Sequence, residues 1–266
     1  MSGKIYAAIA AVLAGLAVGG CGRVERARVE WPTMGTIAAV QTRIADGSAE
    51  TAAERGKTAA ESVSNIFAKV EKLLNAHDPE SELSRLAPLE DAEILRRCDP
   101  LVRECYAAAF RFRDESGGAF NPRWRGAGTL DLGGIAKGFA VDLAAAAAGG
   151  DADAGGAADV LIDLGGNLKA VKGDWNVGIL GAGDFRLKAG SACATSAEYF
   201  RGRHIYDSRT GKAVTNELES VTIVSPSAME ADALSTICFI FGREQGEAFL
   251  KKFHPDARAI WSEKVR

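Results

Sequence analysis

The sequence predicts an α+β protein, with mixed sheets flanked by helices in a single domain of two lobes. Three observations predict it. The chain has 266 residues, 47% hydrophobic and 25% charged, which suits one globular domain with a sizeable core. Two segments place apolar residues at helical spacing, Val63 to Leu74 and Leu101 to Phe112. Short runs rich in Val, Ile and Thr recur along the chain, at Ile37–Thr42, Asp159–Leu164 and Ser220–Ser225. The net charge is −3, there is no basic run, and aromatics make up 7%, so no nucleic-acid partner is expected.

The N-terminus reads as a targeting segment. Lys4 is basic, Ile5–Val18 is apolar and uncharged, and Gly19, Gly20 and Cys21 precede the polar Arg23, Glu25 and Arg26. That order marks a secretory signal, and the apolar run is too short for a comfortable membrane span. Val18-Gly19-Gly20-Cys21 resembles the bacterial lipobox, whose cysteine carries lipid and becomes the mature N-terminus. The expectation is a lipoprotein signal peptide over 1–20, a linker over 21–30 and one domain over 31–266. The chain would then be anchored through Cys21 in the cell envelope, to the inner membrane facing the periplasm or to the outer side of the plasma membrane. The other cysteines, Cys98, Cys105, Cys193 and Cys238, match no zinc spacing. An oxidising compartment would permit one bridge. Four buried free thiols are favoured, since Cys238 lies in an apolar run and Cys193 among small residues.

Taken in order, Trp31–Thr36 leads into the strand Ile37–Thr42, with a tight turn at Gly35. Ala49–Leu74 is expected as a helix with Val63, Ile66, Val70, Leu73 and Leu74 on one face. A polar loop containing His77 follows, and Ser81 caps a short turn. Asp99 and Pro100 open a second helix to Gly117, with Leu101, Cys105, Ala108 and Phe112 inward. Ala119–Pro122 is extended, because a residue before proline is pushed out of the helical region.

Leu130–Asp142 is the stretch around which the chain is organised. It reads as a short apolar strand, then Gly133, Gly134, Lys137 and Gly138, then a helix over Ile135–Ala148. A glycine-bearing strand-to-helix turn leaves backbone N–H groups aimed at one point, where the helix dipole favours an anion. Lys137 adds a charge there, so the turn reads as one that handles phosphate. Asp163-Leu164-Gly165-Gly166-Asn167 repeats the Asp-Leu-Gly-Gly phrase, suggesting two similar strand ends in one sheet. Strands are expected at Lys169–Val171 and Trp175–Leu180, and a hairpin-like region over residues 192–211 gathers Ser196, His204, Tyr206 and Asp207. A helix opening at Pro226 runs to Phe241 with Gly242 as its cap. A helix over Glu244–Phe253 and a strand over Ala257–Trp261 close the chain.

Asp232 and Thr236 are four apart on that helix, so their oxygens point the same way. A carboxylate with a hydroxyl suits Mg²⁺, which takes few protein ligands and keeps water or substrate phosphate. The plainer alternative has Asp232 serving the helix dipole and Thr236 bonding back to a carbonyl. His204, beside Asp, Arg and Ser residues, is the candidate general base, with a solvated hairpin histidine as the alternative.

Met34-Gly35-Thr36, Ser81–Leu86, Gly118–Asn121, Leu130–Asp142, Asp163–Asn167, Thr195-Ser196, His204–Asp207 with Thr210-Gly211, and Ala231–Thr236 resemble the ordered motifs of the ApbE family. These are bacterial FAD:protein FMN transferases, often periplasmic lipoproteins. The resemblance implies an ApbE-like fold and Mg²⁺-dependent transfer of FMN from FAD, its substrate, to a Thr or Ser hydroxyl of an exported flavoprotein, releasing AMP. It implies Gly134, Asp232, Ser235 and Thr236 as metal ligands, Gly134 through its carbonyl, and His204 and Asp232 as catalytic. Met34, Ala119, Phe120, Asn121, Asp131, Lys137, Ser196 and Tyr206 would bind FAD, and His77 falls where the family tends to place an aromatic beside the flavin. The chain departs from the pattern in a short span between Asn121 and Leu130, in Ser208 where proline is usual, and in Ala197-Glu198 for Gly-Asp. A metal-dependent FAD pyrophosphatase and a non-catalytic FAD-binding lipoprotein are the competing expectations.

Overall fold

The computed structural model describes residues 10–12, 24–45, 48–151, 158–198 and 205–264. The lipobox with Cys21 and the candidate base His204 lie outside the described residues.

The chain opens with β1 (Ala10–Val12), β2 (Val24–Thr33) and β3 (Thr36–Ala45). Most of the expected linker is therefore strand: β2 pairs with β3 from Val24–Ala45 to Thr33–Thr36. The reason is an alternation hidden by charge, in which Ala27, Val29 and Trp31 are buried while Arg26, Arg28 and Glu30 point the other way. Met34 and Gly35 form the two-residue turn between them, with φ of 47° and 69°. Two positive φ values match the twist of a tight hairpin, and Met34 takes a conformation that side chains rarely adopt.

Helix α1 (Ala49–Leu74) is as expected, capped by Ser48, whose Oγ accepts from the Thr51 N–H at 3.1 Å. Its buried stripe runs Ala52, Gly56, Ala60, Val63, Phe67, Val70, Leu74, with Ile66 and Leu73 at the margin. Three more helices follow, α2 (Glu82–Leu86), α3 (Asp91–Arg97) and α4 (Pro100–Glu115). Ser81 caps α2 and Asp99 caps α4, accepting from Ser84 N at 3.1 Å and Leu101 N at 2.8 Å. After α5 (Ala136–Asp151) come β4 (Asp159–Leu164), β5 (Asn167–Lys172), β6 (Trp175–Ile179), β7 (Gly183–Leu187), β8 (Ala192–Ala197), β9 (Tyr206–Asp207), β10 (Lys212–Ala213) and β11 (Leu218–Ser225). Then α6 (Ala228–Phe253), interrupted at Gly242 where the backbone leaves the helix, and β12 (Arg258–Glu263) finish the fold.

Among the described residues, one eight-stranded sheet runs β1-β2-β3-β4-β5-β8-β11-β12, with small sheets β9–β10 and β6–β7, and every pairing is antiparallel. The α+β class is as expected. A bend at Gly173 joins β5 to β6, and β6 pairs with β7. One face of the large sheet carries Val29, Trp31, Val40, Ile162 and Leu164 into the main core, beneath Phe67 of α1, Phe139 of α5 and Leu234 of α6. On the other face, Leu161 and Ala170 pack under Trp175, Val177 and Leu187 of the β6–β7 hairpin. The four cysteines after Cys21 are free and buried.

Candidate functional site

Leu130–Leu132 is not a strand. The segment joins no sheet: Asp131 N donates to the Pro122 carbonyl at 2.8 Å and the flanking leucines are buried in the core. The parallel with Asp163-Leu164, which ends a true strand, therefore stops at the residue names. Ala119–Asn121 likewise bends rather than pairing as a strand. Ala119 and Phe120 are buried there, and the Asn121 Oδ1 accepts from Arg123 N at 2.9 Å.

The amides at the start of α5 are mostly committed. Gly133 N–H donates to Asp131 Oδ1 at 2.8 Å, and Ile135 and Ala136 N–H donate to the Leu132 carbonyl at 3.0 and 2.8 Å. The Gly138 N–H donates to Asp232 Oδ2 at 3.0 Å, across 94 residues of chain. The anion that the helix start and Lys137 attract is therefore the Asp232 carboxylate, with Lys137 Nζ 3.6 Å from its Oδ1 and 3.2 Å from the Gly133 carbonyl. This contact needs a glycine at 138, and the turn before it needs one at 134. A Cβ on Gly138 would lie 2.2 Å from the Ala228 carbonyl oxygen, and one on Gly134 would lie 2.9 Å from the Phe120 ring.

Helix α6 brings the rest. The side chain of Asp232 is only 8% exposed. Ser235 Oγ and Thr236 Oγ1 donate back to the Asp232 carbonyl at 2.9 and 3.4 Å, so the plainer bond expected of Thr236 is present. Ser196 on β8 reaches the same oxygens, 2.8 Å from Ser235 and 3.4 Å from Thr236. A Cβ added at Gly134 would lie 3.5 Å from Thr236 Oγ1, which sets the glycine turn directly against this hydroxyl cluster.

A second group surrounds Asp131. Its Oδ2 accepts from Trp124 Nε1 at 3.2 Å and lies 3.7 Å from Arg125 Nη2. Trp124 stacks on Tyr206 with centroids 4.9 Å apart and planes at 17°, while Arg125 covers the Trp124 ring. Tyr206 and Asp207 are held near by Ser208 N–H, which donates to the Ala119 carbonyl at 3.2 Å. The Arg209 guanidinium grips Asp207 and holds its carboxyl below the usual range. Among the described residues no hydrogen bond or ion pair ties the side chain of Met34 or His77 to these groups: Met34 is in the β2–β3 turn and packs against the main core, near α1 through a bond from Thr33 to Glu71 at 3.2 Å, and His77 is exposed just past α1.

The structure thus gathers Asp131, Gly134, Lys137, Ser196, Tyr206, Asp232, Ser235 and Thr236. Sequence reasoning missed Trp124, Arg125 and Asp142. Asp142 accepts from Ser227 Oγ at 2.7 Å and from Ala228 and Met229 N–H at 3.0 Å, capping α6 from α5. The Ser227-x-x-Glu230 phrase signals a helix start, but nothing local signals a cap from residue 142. Among the described residues, no three His, Cys, Asp or Glu side chains cluster to hold a metal. The donors present are one carboxylate with neutral hydroxyls and carbonyls. That set fits Mg²⁺, which is bound by one or two carboxylates and completed by substrate phosphate and water. The Lys137 ammonium already shows that a cation is favoured beside Asp232.

Comparison with known proteins identifies the family and the fold. The model of the ApbE family matches residues 123–261, just over half of the chain. A FAD:protein FMN transferase of Treponema pallidum is 34% identical over 152 residues, 47% of this chain and 41% of that protein. One from Klebsiella pneumoniae is 32% identical over 152 residues, 52% and 46%. The matches thus span less than half the length of these curated relatives. The flavin transferase ApbE of Vibrio cholerae superposes with a TM-score of 0.73 at 21% identity, covering 91% of this chain and 95% of that one. The apo flavinyl transferase of Pseudomonas stutzeri gives 0.69 at 22% identity, covering 92% of each. These superpositions share the fold described above, and with the match over residues 123–261 the chain belongs to the ApbE family.

Proposed function

We propose that this chain transfers FMN from FAD to a hydroxyl of a partner flavoprotein. The observation that carries the reading is the union of α5 and α6, in which Lys137 and the Gly138 N–H converge on Asp232 beside the Ser196, Ser235 and Thr236 hydroxyls. A cation-favouring oxygen cluster next to a lysine suits a pyrophosphate; the ApbE family match over residues 123–261 includes Lys137, Ser196, Asp232, Ser235 and Thr236, and relatives named FAD:protein FMN transferase match about half of the chain. Asp232, Thr236, Ser235 and the Gly134 carbonyl would hold Mg²⁺. When bound, Mg²⁺ would neutralise charge on the pyrophosphate oxygens. Lys137 supports the same phosphates, and Asp131 with Tyr206, Ala119, Phe120 and Asn121 lines the approach to them. Met34 and His77 flank the flavin end.

In the reaction, a Thr or Ser oxygen of the acceptor attacks the FMN-side phosphorus. The bond to the bridging oxygen breaks, AMP carries that oxygen away, and His204 takes the hydroxyl proton. We further propose that the acceptor is an exported redox protein and that Cys21 carries the lipid that anchors the chain facing the periplasm.

The test is incubation of the protein with FAD, Mg²⁺ and a Thr-bearing acceptor domain. Flavin fluorescence on the acceptor band with equimolar AMP is expected. AMP without acceptor labelling would replace the reading with a pyrophosphatase. FAD retained with no AMP would leave only a flavin-binding protein. His204→Ala should bind FAD normally and label the acceptor far more slowly; labelling at the normal rate would remove His204 as the base.

A further inference from the structure

The face of the large sheet opposite α1, α5 and α6 is only partly covered. The β6–β7 hairpin packs on Leu161 and Ala170 of β4 and β5. Cross-strand pairing puts Arg28 and Gln41 in register with Leu161, and Arg26 and Arg43 in register with Asp159, all on that same face. A cavity of about 420 Å³ runs along the ledge where the hairpin stops, lined by Arg26, Arg28 and Arg43 from the sheet and by Trp175 and Arg186 from the hairpin. A second cavity continues past Arg43 to Val24, the first residue of β2.

The groove is cationic and partly rigid. Arg43 lies over the Trp175 ring at 3.9 Å, pairs with Asp159 at 2.6 Å and donates to the Asp174 carbonyl at 2.7 Å. Arg28 pairs with Glu30, and Asp174 is shared by Arg186 and Lys188. The Arg26 guanidinium has no ion-pair or hydrogen-bond partner among the described residues. Five cations thus face four carboxylates, Glu30, Asp159, Asp163 and Asp174, on a chain whose net charge is −3. Arginine forks match phosphate oxygens in geometry as well as charge. No residue of this groove belongs to the Asp232 cluster, which lies on the helical side.

We propose that this arginine groove seats the phosphates of anionic phospholipid headgroups and lays the uncovered face of β2 and β3 on the membrane surface. The proposal takes its geometry from the lipid-anchor reading. Only three peptide steps separate Cys21 from Val24, at most about 11 Å of chain. An anchored domain therefore holds the Val24 end of the groove within about one Debye length of the headgroups, where each arginine is attracted. Resting on this face would direct α5 and α6, with their site, away from the bilayer and toward an incoming acceptor protein.

The test uses the unlipidated chain beginning at Gly22, which lacks the edge strand β1 and its pairing with Arg28–Glu30 but keeps every described residue of the hydrophobic clusters, none of which precedes Ala27. Its co-sedimentation is measured with vesicles of pure phosphatidylcholine and with vesicles holding about 30% phosphatidylglycerol. Binding is expected only to the anionic vesicles, and should be lost between about 0.05 M and about 0.5 M salt. Arg26→Glu with Arg186→Glu should weaken it about tenfold or more while leaving FAD binding unchanged and lowering the melting temperature by only a few degrees, since the Arg186–Asp174 pair it breaks is at the surface. Equal binding to neutral vesicles, or a double variant that binds like the parent, would overturn the proposal. So would calorimetric binding of inorganic phosphate without vesicle binding, which would make the groove a site for a soluble anion. Labelling of the full chain with radioactive palmitate, against Cys21→Ser, reports the anchor separately. Label without vesicle binding sinks the groove; vesicle binding without label sinks the anchor alone.

Discussion

Asp232 has two tasks that pull on the same carboxylate. Oδ2 is committed to the Gly138 N–H, which ties α6 to α5, and Oδ1 faces Lys137. Asp232→Ala should cut FMN transfer about a hundredfold or more and remove its dependence on Mg²⁺. AMP release at varied Mg²⁺ checks this, and a fully active variant would exclude Asp232 from the metal site. Gly138 is the matching constraint on the other helix. Because its Cβ would meet the Ala228 carbonyl oxygen at 2.2 Å, Gly138→Ala should force the helices apart and cost about 1–3 kcal/mol in urea unfolding. Transfer should fall with it, since the same shift pulls Asp232 from Lys137.

At the scale of elements, α5 and α6 exchange carboxylates. Asp232 of α6 takes an amide of the first turn of α5, and Asp142 of α5 takes the Ser227 hydroxyl and two amides at the start of α6. Lys169 from β5 lies 3.4 Å from Asp142 and also donates to the Pro226 carbonyl, so the sheet joins the same junction. Each carboxylate satisfies helix-end donors that have no partner in their own helix. Asp142→Ala should cost about 1–2 kcal/mol of stability. It should also lower transfer more than an ordinary surface change, because the α6 start carries Asp232. Urea unfolding beside initial rates checks both; unchanged stability would mean that water replaces the cap.

At the scale of the molecule, a single antiparallel sheet separates two environments, a helical side with the candidate site and an outer side with the hairpin and the arginine groove. Cys193 belongs to the small core under that hairpin. Burial pushes its thiol from an ordinary value of 9.0 up to about 12, with Asp163 adding to the rise. A folded-state value above the unfolded one means full stability below about pH 9, lost as the pH climbs toward 12. The loss amounts to about 1.4 kcal/mol per pH unit for this one group. Melting temperatures measured across that range should fall, and Cys193→Ala should flatten part of the fall. An identical alkaline slope in the variant would show that Cys193 does not titrate there.

Much of this protein is written locally. The helical stripe ending at Leu74, the Asp99-Pro100 start, the Asp159–Leu164 strand and the four-residue spacing of Asp232 and Thr236 all follow from short-range periodicity and capping, which the chain carries wherever it folds. Alternation in β2 was present but masked, because its outward positions are charged and read as linker. What only the tertiary structure decided are contacts between distant residues. Leu130–Leu132 has strand composition yet finds no partner strand, since its amide is taken by Pro122. The glycine turn was legible as an anion site, but not that its anion is a carboxylate from α6. Nor could spacing show Trp124 stacked on Tyr206 or Asp142 capping a helix 85 residues away. Backbone propensity and hydrophobic period act over a few residues, whereas a charge or an amide takes whatever partner the folded core brings within about 3 Å.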